Sequence, residues 1–402
     1  MSTREELSRT IRSIFRPLLA GTRVSDFQKK FYDLQTVKLP DTLLVHDLEE
    51  LCRRNGGFLT MGELYQEELY GTHGYYAKKS NTVLTDTPSR WADGIVAICK
   101  EFGLTHCVEI GPGDGSLALS MLAQEPQLNW SGVEIAGVLR EKIAEKFHSA
   151  GRQYDQLVEN VGQLRQKDAA LYLFVYALDS MPPEVFINTG KKTSAPNALL
   201  GVRIQNGMLQ EVVLSHKELA QRKMSLAKGV MTIGDERIDL SSWHLMPQQR
   251  AYIPMSSLVL LSKTVSRAPK GSRICIIDEF RKDKGAYVSP HLLVPRDPRL
   301  YRRDKTNIRQ NYEHIGTIDY YFPQYSYSLQ KYLASLGVSC VLVDSEMALS
   351  AYMKAHHKLP RKPLDTESKT QCFITNTIEK RKKKVVYPLR PEDMHTHSSW
   401  EW

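Results

Sequence analysis

From Glu109 to Leu119 the chain reads EIGPGDGSLAL, with glycines at 111, 113 and 115 and carboxylates at 109 and 114. Glycine has no Cβ, so alternate glycines let a backbone approach a ligand closely. Three readings compete: a phosphate cradle, a cradle for another bulky polar ligand, and a plain corner. A dinucleotide loop needs G-x-G-x-x-G, but Ser116 stands where its third glycine belongs. A P-loop needs Lys-Ser/Thr after the glycines, and none follows. A second carboxylate, Glu134, comes 19 residues after Gly115 at the end of an apolar run. There it could grip both hydroxyls of a ribose. Further carboxylates at Asp179, Asp278, Glu279 and Asp319 could orient a cationic acceptor. Each has a structural alternative. Asp179 precedes Met-Pro-Pro and suits a turn or helix cap, and Asp319 suits the turn after Gly316. Asp278 ends an apolar strand, at the face where open α/β sheets bind ligands.

These residues need elements to hold them. The pattern before residue 75 is helical, with apolar residues at Ile11, Ile14, Phe15 and Leu18, then Leu43, Leu44, Leu48 and Leu51. Strands and helices alternate from His106. CVEI (107–110) and WSGVEI (130–135) read as strands, and SLALSMLAQ (116–124) and VLREKIAEKF (138–147) as helices. LYLFVYAL (171–178) is a continuous apolar run, as in a strand covered on both faces. The rhythm breaks at GVRIQNGMLQEVVL (201–214), where Asn206-Gly207 signals a hairpin. It resumes with a helix near 255–266, a strand at 273–280, a helix over 325–336 and a strand at 338–344. QCFITNTI (371–378) is expected to be a final edge strand. The spacing predicts an α/β fold with a Rossmann-like doubly wound core. The expected units are an N-terminal helical region (1–75), core (76–200), an inserted smaller lobe (201–257), core again (258–380) and a basic tail (381–402).

Glu109-x-Gly-x-Gly-x-Gly, paired with Glu134, is the pattern of the class I S-adenosylmethionine methyltransferases. On that reading Glu109, Gly111, Gly113, Gly115 and Glu134 hold the cofactor. The chain also resembles the MidA-like methyltransferases, in order over roughly 40–380. His73-Gly74-Tyr75-Tyr76 is similar to the family's HGYY, and Val108 to Gly115 to its ELGPGxG. Val133-Glu134-Ile135 with Leu139-Arg140 resembles VEISPxLR, and Asp179-Ser180-Met181-Pro182 stands at FDALP. Ile276-Ile277-Asp278 is similar to the IDYG strand, and Gly316-Thr317-Ile318-Asp319 to GTxDLT. The resemblance implies methylation of a protein, on arginine, with Asp179, Asp278 and Asp319 as candidate catalytic residues. The chain departs from the family at Val175-Tyr176 (Asn-Glu there), Thr85-Asp86-Thr87-Pro88 (TSPE there) and Glu279 (tyrosine there). These departures leave open an S-adenosylmethionine-binding scaffold with little turnover.

Charge bounds the partners. The net charge is +9, and 12 basic against 5 acidic residues lie between Arg267 and Arg309. A second run, EKRKKK, spans 379–384. Such runs are a solvated surface or a site for an anionic partner, so a nucleic-acid methyltransferase stays open through 267–309. No uncharged apolar run is long enough to span a membrane. Six cysteines are scattered without a CxxC pair, reading as reduced core residues with no metal site. The N-terminus is arginine-rich, but Glu5 and Glu6 argue against a presequence, so cytoplasm is expected, with the mitochondrial matrix as alternative. Nothing in the sequence fixes the oligomeric state.

Overall fold

A computed structural model describes residues 34–78, 88–178, 180–189, 195–240, 243, 245, 250–281, 294–295, 312, 315, 320–321, 324–338, 340–344 and 370–375. Asp179, Asp319, the Glu279 side chain, the run 379–384 and most of the basic stretch beyond Arg281 lie outside those residues.

β1 (Thr36–Lys38) leads to α1 (Leu43–Arg54), whose first turn is capped by the Thr42 hydroxyl. β2 (Leu59–Thr60), α2 (Met61–Tyr70) and the short α3 (Tyr75–Lys78) follow. A capping box starts α2: the Thr60 hydroxyl takes the Glu63 N–H, and the Glu63 carboxylate takes that of Thr60. The described part of the N-terminal region therefore carries two strands as well as helices.

The core runs through α4 (Pro88–Glu101), β3 (His106–Ile110), α5 (Ser116–Gln124), β4 (Asn129–Val133), α6 (Gly137–Ser149), β5 (Gln156–Val158) and β6 (Leu171–Val175). The chain then leaves it for β7 (Glu184–Ile187), β8 (Ala198–Gln205), β9 (Met208–Val213), α7 (His216–Gln221), β10 (Met224–Ala227), β11 (Val230–Ile233), β12 (Glu236–Asp239) and β13 (Arg250–Ile253). It returns through α8 (Met255–Arg267) and β14 (Arg273–Arg281). The short β15 (Val294–Pro295), β16 (Tyr320–Tyr321) and β17 (Gln324–Tyr325) precede α9 (Ser326–Ser335), β18 (Cys340–Asp344) and β19 (Thr370–Thr375).

The core sheet has the order β18-β19-β14-β6-β3-β4-β5, with β17 beside the end of β14. β5, β4, β3, β6 and β14 are mutually parallel, and β19 runs antiparallel between β14 and β18. The expected edge position of 371–378 is corrected here: β19 is interior and β18 holds the edge. Chain order does not set spatial order once an antiparallel strand returns between two parallel neighbours. Alternate residues of β3, β6 and β14 feed two apolar layers. Val108, Ile110, Tyr172, Phe174, Ile274 and Ile276 pack on one face. Cys107, Leu171, Leu173, Val175, Cys275 and Ile277 pack on the other. Burial on both faces explains the unbroken apolar runs, at about 1.5–3 kcal/mol for each fully buried aliphatic side chain.

The second sheet has the order β1-β9-β8-β7-β13, with β2 beside β8. It starts at Glu184, ahead of residue 201, and it takes two strands from the N-terminal region. β8 and β9 form the expected hairpin, with Asn206 and Gly207 both at positive φ (52° and 68°). β10, β11 and β12 make a separate meander. Among the described residues, no helix is long and apolar enough to cross a membrane. Cys52, Cys99, Cys107 and Cys275 are buried and in no disulfide.

Candidate functional site

β3 continues into β4 on one side, whereas β6 lies on its other side. That reversal opens a crevice at the carboxyl ends of the strands. A cavity of about 300 Å³ fills it, bordered by the loops after β3, β4, β5 and β6 and by α2 and α8.

The glycine loop forms the floor. Gly111, Gly113 and Gly115 have φ of 70°, 59° and 75°, a region that favours glycine. At Gly111 space also decides, because a Cβ there would meet the Ala177 Cβ at 3.1 Å. The Gly111 N–H donates to Val133 O at 2.8 Å, fastening the loop to the end of β4. Asp114 takes the Ser116 N–H at 3.0 Å and the Lys146 ammonium at 2.6 Å. Burial pushes the Asp114 carboxyl up, but these donors more than offset it and hold it below the usual value.

Glu134 stands directly after β4 and borders the cavity while only 5% exposed. Its carboxylate accepts from Ala136 N at 2.9 Å and also from the Gly113 and Ile135 N–H groups. Burial outweighs these bonds and raises its pKa to about 7. Glu109 is buried beneath the same floor, also raised to about 7 by burial, and accepts from Trp130 Nε1 at 3.0 Å. Gly132 makes that bond possible, since a Cβ there would lie 2.5 Å from the Trp130 ring. Glu109, Gly111, Gly113 and Glu134 all border the cavity. Gly115 sits one step back, as the left-handed cap of α5.

The other wall, among the described lining residues, is neutral and rich in tyrosine. It is built from Gln66, Tyr70, Tyr76, Tyr176, Met181, Pro182, Ser256 and Leu260. The Tyr70 and Tyr76 rings stack at 5.2 Å, and Tyr75 meets Tyr76 edge-on. Tyr70 also donates to Ser180 O at 2.8 Å. Beside this wall, His73 Nδ1 pairs with Asp47 at 2.6 Å and so orients the turn that carries the tyrosines. Asp278 is fully buried off the cavity wall, and its carboxylate accepts from Leu178 N at 3.0 Å. Asp179 and Asp319 lie outside the described residues. Among the described lining residues the acids are Glu109, within β3, and Asp114, Glu134 and Glu159, on the loops after β3, β4 and β5.

Sequence reasoning passed over several lining residues. Glu159, Asn160 and Val161 follow β5, and the rule that loops after parallel strands border the crevice would have found them. Gln66 and Tyr70 reach the cavity from α2, which belongs to the region before the core, and no local pattern marks them. Tyr176, singled out in the sequence as a departure from the family's Glu, does line the cavity; its φ of 49° is a conformation no pattern announces for a tyrosine.

The order and directions of the core sheet are those of the Rossmann-like class I methyltransferase fold. Solved structures share it. An uncharacterized protein from Burkholderia thailandensis superposes with a TM-score of 0.56 at 14% identity, over 88% of this chain and 94% of its own. A member of the same superfamily from that organism, bound to S-adenosyl-homocysteine, superposes with a TM-score of 0.53 at 13% identity, over 88% and 94%. No protein-family model matches the sequence. No curated protein matches it either.

Proposed function

We propose that this protein is an S-adenosylmethionine-dependent methyltransferase of the MidA-like kind, acting on an arginine side chain of a partner protein. The observation that carries the reading is Glu134, a buried carboxylate bordering a cavity whose floor is a glycine loop. A carboxylate held near pH 7 by burial gains strongly from hydroxyl donors, which a ribose supplies. The fold neighbour bound to S-adenosyl-homocysteine supports the same cofactor class.

Glu134 would hold the ribose, and Gly111 and Gly113 would admit the cofactor's body against bare backbone. Glu159 and Asn160 would border its base. The cofactor supplies a sulfonium methyl for in-line displacement, and the protein contributes alignment and exclusion of water. An arginine acceptor is planar and weakly hydrated, and its guanidinium stacks on aromatic faces. The Tyr70–Tyr76 wall suits that shape. Its proton leaves only with help, because its pKa exceeds about 12. Asp179 and Asp319 are the candidates for that role.

A second reading, a cofactor-binding assembly protein with little turnover, is favoured by one observation. Among the described lining residues no acid stands on the acceptor wall. Incubation with methyl-labelled S-adenosylmethionine and native lysate separates the two. Label on methylarginine of a discrete protein is the expected result. Cofactor binding with no labelled protein favours the scaffold, and label in RNA would replace the acceptor with nucleic acid.

A further inference from the structure

Tyr176 is a non-glycine residue held at φ 49° on the cavity wall. For a bulky aromatic residue this backbone is strained and persists only where its surroundings impose it. Bonds from three elements supply that constraint. From β14, Ile277 O takes the Tyr176 N–H at 2.8 Å, and the Asp278 carboxylate takes the Leu178 N–H at 3.0 Å. From α8, the Ser257 hydroxyl donates to Leu178 O at 3.2 Å. From α2, Tyr70 donates to Ser180 O, and the turn closes on itself where Ser180 Oγ donates to Tyr176 O at 3.2 Å. The turn so held presses against the glycine loop, with Ala177 filling the space a Cβ on Gly111 would need.

Asp278 is the buried acid in this set, and it is not among the cavity's lining residues. We propose that Asp278 is a positioning residue. Through Leu178 it holds Tyr176 in its strained backbone, and so fixes the acceptor wall against the cofactor floor. The proposal rests on the methyltransferase reading. It differs from a catalytic role in that the carboxylate acts on backbone rather than on the acceptor.

A set of variants tests it, read by denaturant unfolding, by calorimetry with S-adenosyl-homocysteine, and by transfer from labelled S-adenosylmethionine to lysate protein. Asp278→Ala leaves the Leu178 N–H without this acceptor. It should raise the unfolding equilibrium constant about 10- to 100-fold. Transfer should fall about 10-fold or more through lost alignment, while affinity for S-adenosyl-homocysteine stays within about threefold. Asp278→Asn keeps an oxygen for Leu178 and should restore stability and transfer to within about threefold of wild type. Tyr176→Gly removes the strain, so adding Asp278→Ala in that background should destabilise by less than a third of the single change. Strictly additive losses would overturn the proposal. So would transfer by Asp278→Asn as low as by Asp278→Ala in a folded protein, since charge itself would then be needed. If Asp278→Ala does not fold, the Asn variant decides alone. Wild-type protein that ignores S-adenosyl-homocysteine would sink the methyltransferase reading instead, and the unfolding cycle would still report on the clamp.

Discussion

Glu134 places a carboxylate where water is scarce, and its titration follows from that. Burial raises its pKa from 4.5 to about 7, as it does for Glu109 and Glu184. For an acid raised on folding, the stabilising contribution is complete below the unfolded value and is lost as pH climbs through the folded one. These groups therefore favour the fold below about pH 4.5 and withdraw that support by about pH 7, with the opposite sign from Asp114. Hydroxyl donors bind the ionised form, so affinity for S-adenosyl-homocysteine should rise between pH 6 and 8, by up to about tenfold per unit below pH 7. Calorimetry in buffers of different ionisation enthalpy should show a proton released on binding. Affinity flat across that range would mean that the ligand does not engage ionised Glu134. Glu134→Ala should weaken binding by about 10- to 150-fold, at about 1.5–3 kcal/mol for a lost bond to a charged acceptor. Unchanged affinity in that variant would remove Glu134 from the site. The residue was legible from its place after an apolar strand. Its burial was not, because that depends on neighbours from β5 and the glycine loop.

The glycine loop is the element on which the cavity floor depends. Gly111→Val adds a branched side chain at φ 70°, against an Ala177 Cβ already 3.1 Å from the first added atom. Binding of S-adenosyl-homocysteine should fall below detection, while a melting curve recorded beside it shows whether the protein still folds. Normal binding by a folded variant would reduce the loop to a corner. Below the loop, Gly132→Ala puts a carbon 2.5 Å from the Trp130 ring and should displace the indole from Glu109. A loss of about 1–3 kcal/mol is expected from overpacking, read by urea denaturation. The need for small residues at 111, 113 and 115 could be read from spacing. What Gly111 and Gly115 must avoid comes from the turn after β6 and from α6, remote in sequence, and what Gly132 must avoid is a ring two residues away on the same face of β4.

At the scale of the molecule, the two sheets share one apolar layer. Leu199, Val202, Leu209 and Ile253 of the lobe pack in the same cluster as Val108, Tyr172 and Ile274 of the core. The lobe also holds a buried ion pair: Arg250 bonds both Glu211 oxygens, at 3.0 and 2.9 Å, and Tyr312 donates to Glu211 at 2.8 Å. Glu211→Ala removes this carboxylate from beside the buried Arg250 guanidinium and should cost about 3–5 kcal/mol. Because the layer is continuous, that loss should appear as one shifted transition, coincident by far-ultraviolet dichroism and tryptophan fluorescence. Two separated transitions would show that lobe and core unfold independently.

The sequence by itself determined the alternation of strands and helices, the glycine loop, the carboxylate after the second core strand and the Asn206-Gly207 hairpin. Each is a local pattern, set by periodicity, by turn chemistry or by the freedom of glycine. Tertiary structure alone decided where the lobe begins, that β19 lies inside the sheet, and that strands near residues 36 and 59 complete the lobe. Those outcomes depend on pairings between distant segments, which no local window contains. It also moved Asp278 from the expected ligand face to a buried bond with Leu178, and brought Tyr70 to the cavity from outside the core. A strand end fixes only the level at which a side chain emerges. Whether it meets ligand or backbone depends on which loop folds over it, and here that loop is the turn after β6.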